Sequence, residues 1–132
     1  MQTTASHGPR AGPEAGRPGP AAGARWRALL ETRWQARVRE VTELALAYHE
    51  AAAAAQGQGA GAGREAQLRL DRLLRRTVAA RWALADTEEA LARLSAGSYG
   101  RCESCAGAIA AARLAVAPET RYCARCAQGK TS

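Results

Sequence analysis

All the sulphur available for cross-linking sits in one stretch, CESCAGAIAAARLAVAPETRYCARC, where Cys102, Cys105, Cys123 and Cys126 form two Cys-x-x-Cys pairs separated by seventeen residues. A Cys-x-x-Cys turn sets two thiolates on one ion, and two such turns complete a tetrahedron, so this spacing predicts one structural Zn2+ held by the four thiolates. Two other readings compete: a pair of disulfides, and a redox-active Cys-x-x-Cys of thioredoxin type. The first conflicts with the reducing compartment expected below. The second lacks a surrounding βαβ pattern and leaves one pair unexplained. A full thiolate shell has no open coordination position, so the metal is expected to hold a fold rather than to catalyse. Ile109 and Leu114 are expected to pack beneath it, Pro118 to punctuate the return, and Tyr122 to lead into a short helix carrying Cys123 to Cys126. Such a knuckle has too little apolar content to fold without metal.

The remainder of the chain offers only a modest core. Of 132 residues 47% are hydrophobic, but alanine inflates that figure, phenylalanine is absent and aromatics make up 5%. Alanine buries little apolar area, so a metal or an elongated helical architecture has to supplement the core. The N-terminus lacks the apolar run of a secretory signal, and no stretch approaches the ~18 apolar residues of a membrane span. A cytoplasmic chain without membrane contact is expected.

Residues 1–25 hold four of the five prolines and many glycines, a composition that predicts a disordered tail unable to sustain a helix. His7 lies there as a solvated side chain. From Trp26 the texture changes: Leu30, Trp34, Val38, Val41, Ala45 and Tyr48 recur at steps of three and four, predicting a first helix to about Ala55. His49 has no histidine or cysteine near it and reads as an ordinary surface or packing residue. The run QGQGAGAG, residues 56–63, is a flexible loop, because alternating glycines carry a high backbone-entropy cost in regular structure. A second helix follows with a heptad seam: Leu70, Thr77, Leu84 and Leu91 at one position, Leu73, Ala80, Thr87 and Leu94 at the other. Gly97 is its stop signal. The short loop makes the first helix the natural partner, giving an antiparallel coiled-coil hairpin over residues 26–97, with each helix about 45 Å long at 1.5 Å per residue. A coiled-coil dimer is the second choice, and a monomer the first. The fold class is therefore mainly α: a long antiparallel helical hairpin followed, over residues 98–132, by a small four-cysteine zinc finger.

Net charge is +7, from 19 basic and 12 acidic residues, and every basic residue but Lys130 is an arginine. This predicts an acidic partner without naming one. On the second helix Arg69, Arg72 and Arg76 share a face with Arg75 alongside, either as a solvated surface with local ion pairs or as a docking stripe for an acidic protein surface or phosphate. The finger adds Arg113, Arg121 and Arg125. With two isolated histidines and no serine, histidine and acid constellation, no catalytic residue is assigned and the chain is not read as an enzyme.

The run ALARLSAGSYGRCESCAGAIAAARLAVAPETRYCARC resembles the DksA/TraR zinc-finger family. The shared residues are Ala90, Leu91, Arg93 and Leu94, then Gly97, Ser98, Tyr99 and Gly100 before the first cysteine pair, then Ile109, Arg113, Leu114, Pro118 and the second pair. The resemblance implies an antiparallel coiled coil attached to a globular part with a four-cysteine zinc site. It also implies a transcription regulator that inserts the coiled coil into the secondary channel of RNA polymerase without reading DNA sequence. The runner-up is a zinc-dependent nucleic-acid-binding protein using its arginine patches. Two departures stand out. Family members carry acidic residues at the coiled-coil tip, whereas residues 51–64 contain none. A glycine commonly follows the second cysteine, where this chain has Ala106 and then Gly107, a replacement expected to strain the knuckle. No residue-by-residue counterpart of the family's polymerase-rim or alarmone-binding basic residues is found.

Overall fold

The computed structural model describes residues 20–58 and 63–130. His7 and most of the predicted tail, the middle of the glycine loop at 59–62, and residues 131–132 lie outside the described residues. Four helices follow in order: α1 (Pro20–Gly57), α2 (Gly63–Ala96), α3 (Ala111–Val116) and α4 (Ala124–Lys130). Helix α1 begins at Pro20 rather than at Trp26, which corrects the expected non-helical tail over residues 20–25. Proline in a first helical turn gives up an N–H that has no intrahelical partner anyway, and Ala21, Ala22 and Ala24 are strong helix formers.

Two compact units divide the chain. One runs from Thr32 to Glu88, and the other comprises the described residues up to Glu31 together with those from Glu89 onward. Within the Thr32–Glu88 unit α1 and α2 pack antiparallel, as the indole N–H of Trp34 shows by donating to the carboxylate of Glu88 at 3.0 Å. The expected seam of α2 faces inward: Thr77, Ala80 and Thr87 are buried, and Leu70, Leu73 and Leu84 are half-buried. Each buried threonine hydroxyl donates to its own helix, Thr77 to the Leu73 carbonyl at 2.7 Å and Thr87 to the Ala83 carbonyl at 3.1 Å. No hydroxyl is thus left unpaired in an apolar seam, where it would cost about 1–3 kcal/mol. On α1 the buried residue is Leu44, which the periodicity reading passed over in favour of Val41 and Ala45. Trp34, read as part of the apolar stripe, is 37% exposed, because its polar edge is spent on Glu88.

The other unit gathers its core around an aromatic pair. Trp26 and Leu30 of α1, Ala90 of α2, and Tyr99, Cys102, Ile109 and Leu114 form one buried cluster. The rings of Trp26 and Tyr99 lie 6.0 Å apart at a 49° tilt, a separation within the range of favourable aromatic contacts. Helix α2 ends in a left-handed glycine, Gly97 at φ +85°. The Ser98 N–H then reaches the Arg93 carbonyl at 2.9 Å and the Gly97 N–H reaches the Leu94 carbonyl at 3.3 Å. These are the two bonds of a Schellman cap, which satisfies the terminal carbonyls and turns the chain back under the helix ends. Tyr99 follows two residues later, 1% exposed, and its hydroxyl donates to the Pro118 carbonyl at 2.9 Å.

Leu30 is fully buried in this cluster. Replacing it with alanine is expected to lower the stability of the zinc-loaded protein by about 2–5 kcal/mol, read as a shift in the urea midpoint followed by far-UV circular dichroism. A change below about 0.5 kcal/mol, the level of a surface substitution, contradicts the placement of α1 against the finger core.

Candidate metal centre

The first cysteine pair sits in a tight backbone loop. Arg101 and Ala108 pair across it as a short antiparallel bridge. The Cys102 N–H donates to the Gly107 carbonyl at 2.8 Å, the Ala106 N–H to the Cys102 carbonyl at 2.9 Å, and the Ile109 N–H to the Gly100 carbonyl at 2.8 Å. These bonds wrap the chain around the Cys102 and Cys105 sulphurs. Gly107 is constrained from the metal side: its N–H donates to the Cys105 sulphur at 3.4 Å, and a Cβ at this position would stand 3.3 Å from that sulphur. Ala106 adopts φ +65°, in the left-handed region that costs a residue with a Cβ roughly 1–2 kcal/mol. This is the strain expected from an alanine directly after Cys105.

The second pair is carried at the start of α4, where the Ala127 N–H donates to the Cys123 carbonyl at 2.8 Å. Cys123 itself precedes the helix and Cys126 lies in its first turn. Three further bonds hold the two pairs together. The Glu103 N–H donates to the Arg121 carbonyl at 2.8 Å, the Arg113 Nε to the Tyr122 carbonyl at 2.9 Å, and the Arg93 guanidinium to the Glu119 carbonyl at 3.2 Å. Ile109 and Leu114 are buried beside Cys102 as expected.

The sulphurs of Cys102, Cys105, Cys123 and Cys126 all lie within 4.8 Å of one another, and those of Cys105 and Cys123 are 4.0 Å apart. A disulfide needs about 2.05 Å. A tetrahedron built on Zn–S bonds of about 2.3 Å has edges near 3.8 Å, so the donor set fits a single zinc ion. Its electrostatics agree. Burial raises the Cys102 thiol, but the N–H groups of Cys123, Cys105 and Ser104 outweigh that and bring it down to about 6. The N–H of Cys126 likewise lowers the Cys123 thiol. For Cys126 the Ser104 hydroxyl pulls downward, yet the neighbouring sulphurs of Cys123 and Cys102 push the thiol up to about 11. Four thiols this close cannot all ionise unaided, and a dication is the charge that lets them do so.

Residues 97–131 match the model of the prokaryotic dksA/traR C4-type zinc finger. The C-terminal segment is a DksA/TraR-type finger. With the four clustered cysteines, this match supports one structural Zn2+. An uncharacterised protein of Aquifex aeolicus is 44% identical over 45 residues, which is 34% of this chain and 31% of that protein, so the matched stretch spans about a third of the relative. The structure of transcription factor DksA2 from Pseudomonas aeruginosa superposes with a TM-score of 0.61, covering 89% of this chain and 88% of that one at 21% identity. Two long helices followed by a four-cysteine site are therefore the DksA fold.

The sequence found every cysteine in the cluster but missed the groups that brace it. The Tyr99 hydroxyl, the Arg113 guanidinium and the Arg93 guanidinium all end on backbone carbonyls of residues 118–122, and such acceptors carry no residue-type signal. Arg121 pairs with Glu89 of α2 and Arg113 with the Tyr122 carbonyl, so two of the three finger arginines considered for nucleic-acid binding are already engaged.

Exchange of Cys102 or Cys123 for serine is expected to unfold the finger while the helical signal of α1 and α2 stays largely unchanged. Limited proteolysis beside circular dichroism reads both; an intact, protease-resistant finger in either variant refutes the cluster's structural role. Ala106→Gly is expected to stabilise the finger by up to about 1 kcal/mol, because relief of the left-handed strain exceeds the added entropy cost of glycine. A higher melting temperature of the zinc-bound protein is the readout.

Proposed function

We propose that this chain is a DksA-type transcription factor that binds RNA polymerase, with the hairpin of α1 and α2 entering the secondary channel and the finger serving as its base. In this reading Cys102, Cys105, Cys123 and Cys126 are the four ligands of one structural zinc, no residue is catalytic, and the protein works in the cytoplasm as a monomer. The observation that carries it is the conjunction of a DksA/TraR-type finger at residues 97–131 with a DksA fold over most of the chain. A finger alone could serve many partners, and a helical hairpin alone could too; their combination in one chain narrows the choice. Among the described residues no helix is long and apolar enough to cross a membrane, which is compatible with this assignment.

The tip gives the reading a specific form. Residues 51–64 contain no acid, and the last acidic side chain of α1, Glu50, lines a groove with Ala51, Ala54 and Gln58. A tip of this composition brings no carboxylate to a catalytic metal, so binding and its steric consequences are proposed here, without an electrostatic effect at the polymerase centre. In the zinc-dependent nucleic-acid alternative Arg113 and Arg121 are already engaged, with the Tyr122 carbonyl and with Glu89 of α2, so that reading rests on Arg125 and the arginines of α2.

Purified zinc-loaded protein is expected to retain core RNA polymerase in a pull-down and to lose it to an established secondary-channel factor. Retention without competition removes the channel from the proposal, and no retention removes the polymerase. A loop variant with aspartates introduced between residues 56 and 63 is expected to bind equally well and to gain an effect on promoter-complex lifetime that the parent lacks.

A further inference from the structure

The Thr32–Glu88 unit carries an exposed surface on α2, whose apolar edge at Leu74 and Val78 borders a groove shared with Ala45, Tyr48 and His49 of α1. Trp82 is 69% exposed, and Leu74 and Val78, about two turns and one turn before it on the same face, are 49% and 45% exposed. An indole left in water forgoes a large burial free energy, so it signals a partner rather than packing. Beside this stripe, going around the helix at 100° per residue, come Arg75 and then Arg72 and Arg76. Arg69, Arg72 and Arg76 line a shallow groove of about 280 Å³ with Leu73. None of these four arginines has a hydrogen bond or ion pair among the described residues. The acid within their run, Asp71, instead accepts from Gln67 at 3.2 Å. Guanidinium groups three and four positions apart on one helix face repel one another, and none of the nearby carboxylates, Asp71 included, closes an ion pair with them among the described residues.

We infer that this face of α2, with Trp82 as a stacking platform and Arg72, Arg75 and Arg76 as backbone contacts, binds single-stranded nucleic acid. An exposed indole next to unpaired guanidinium groups is the pairing of features that single strands recognise: unstacked bases offer flat π-faces and phosphates offer regularly spaced anions. Arginine suits both parts, since its planar fork contacts phosphate and stacks on bases. A duplex keeps its bases stacked away from Trp82 and meets only the charges. A second copy of the chain fits poorly, because an antiparallel pairing centred on Val78 sets Arg75 against Arg81. An acidic protein segment satisfies the charges but has no systematic use for the indole.

Tryptophan emission reads the interaction directly. Trp26 is buried, Trp34 is 37% exposed with its N–H on Glu88, and Trp82 is the most exposed of the three indoles, so the part of the quench lost in a Trp82 variant reports on this face. Titration of the full-length zinc-loaded protein with oligothymidylate is expected to quench its emission, and with oligouridylate likewise. Trp82→Leu is expected to abolish most of that quench and weaken binding about tenfold, the loss of one stacked base. Trp82→Phe is expected to retain most of the affinity. The combined Arg72→Gln, Arg75→Gln and Arg76→Gln variant is expected to flatten the slope of log affinity against log salt by about 2, corresponding to three phosphate contacts on a single strand. All these positions are exposed, and unchanged circular dichroism checks that the variants fold. Absence of quenching, a salt slope unchanged in the triple variant, or duplex DNA or a polyglutamate peptide binding as tightly as the single strand overturns the inference. Because no polymerase is present, the outcome is independent of the function proposed above.

Discussion

Four sulphurs within 4.8 Å of one another cannot all carry negative charge without a cation among them, and the finger is built around that requirement. The Cys102 thiol is drawn down to about 6 by backbone N–H groups while Cys126 is pushed up to about 11 by its neighbours, so the same cluster contains a ready thiolate and a reluctant one. A single dication turns this conflict into four bonds. Once closed, the cage ties residues 102–105 to residues 123–126, and the intervening segment has only Ile109, Leu114 and Pro118 as fully buried apolar or proline side chains. That is too little to hold a loop of this size, and binding free energy supplies what burial does not.

The finger also borrows core from elsewhere in the chain. Trp26 and Leu30 come from α1 and Ala90 from α2, and Tyr99 is the side chain through which they meet the cage, its ring against Trp26 and its hydroxyl on the Pro118 carbonyl. The Schellman cap at Gly97 makes this possible by reversing the chain within two residues of Ala96. In the Thr32–Glu88 unit the logic differs. Small and hydroxylated residues at Thr77, Ala80 and Thr87 are buried, which lets helix backbones approach closely, and the hydroxyls bond within their own helix. That seam demands little apolar volume, in keeping with a chain rich in alanine and free of phenylalanine.

What could be read from the residues follows from where each signal is local. The cysteine spacing and the Gly97 stop are patterns within a few residues, as is the α2 seam, and each matches the structure. The start of α1 at Pro20 is hidden because a segment rich in proline and glycine reads as helix-breaking throughout, although proline in a first turn is harmless. The burial of Leu44 and the exposure of Trp34 depend on the face that α2 presents to α1, including Glu88 at a separation of 54 residues, which periodicity along α1 alone does not contain. The packing of Trp26 on Tyr99 is hidden for the same reason. The strain at Ala106 was legible because one glycine in the family pattern is displaced by one position, and backbone geometry answers such a shift directly.

The arginines divide into two populations that the sequence does not distinguish. Arg93, Arg113 and Arg121 spend their guanidinium groups on carbonyls or on Glu89, and burial lowers the Arg93 pKa, followed in effect by the nearby Arg121. A cation kept there despite that cost is structural, and its removal would take from the Glu119 carbonyl the donor that Arg93 supplies. Arg69, Arg72, Arg75 and Arg76 show the opposite condition, close together on α2 and without a hydrogen bond or ion pair among the described residues. Net charge is blind to this difference: the +7 of the chain overstates what the finger can offer a polyanion and locates nothing. The α2 group therefore leaves its charge open to an external anion, whereas Arg93, Arg113 and Arg121 spend theirs on carbonyls of the finger and on Glu89.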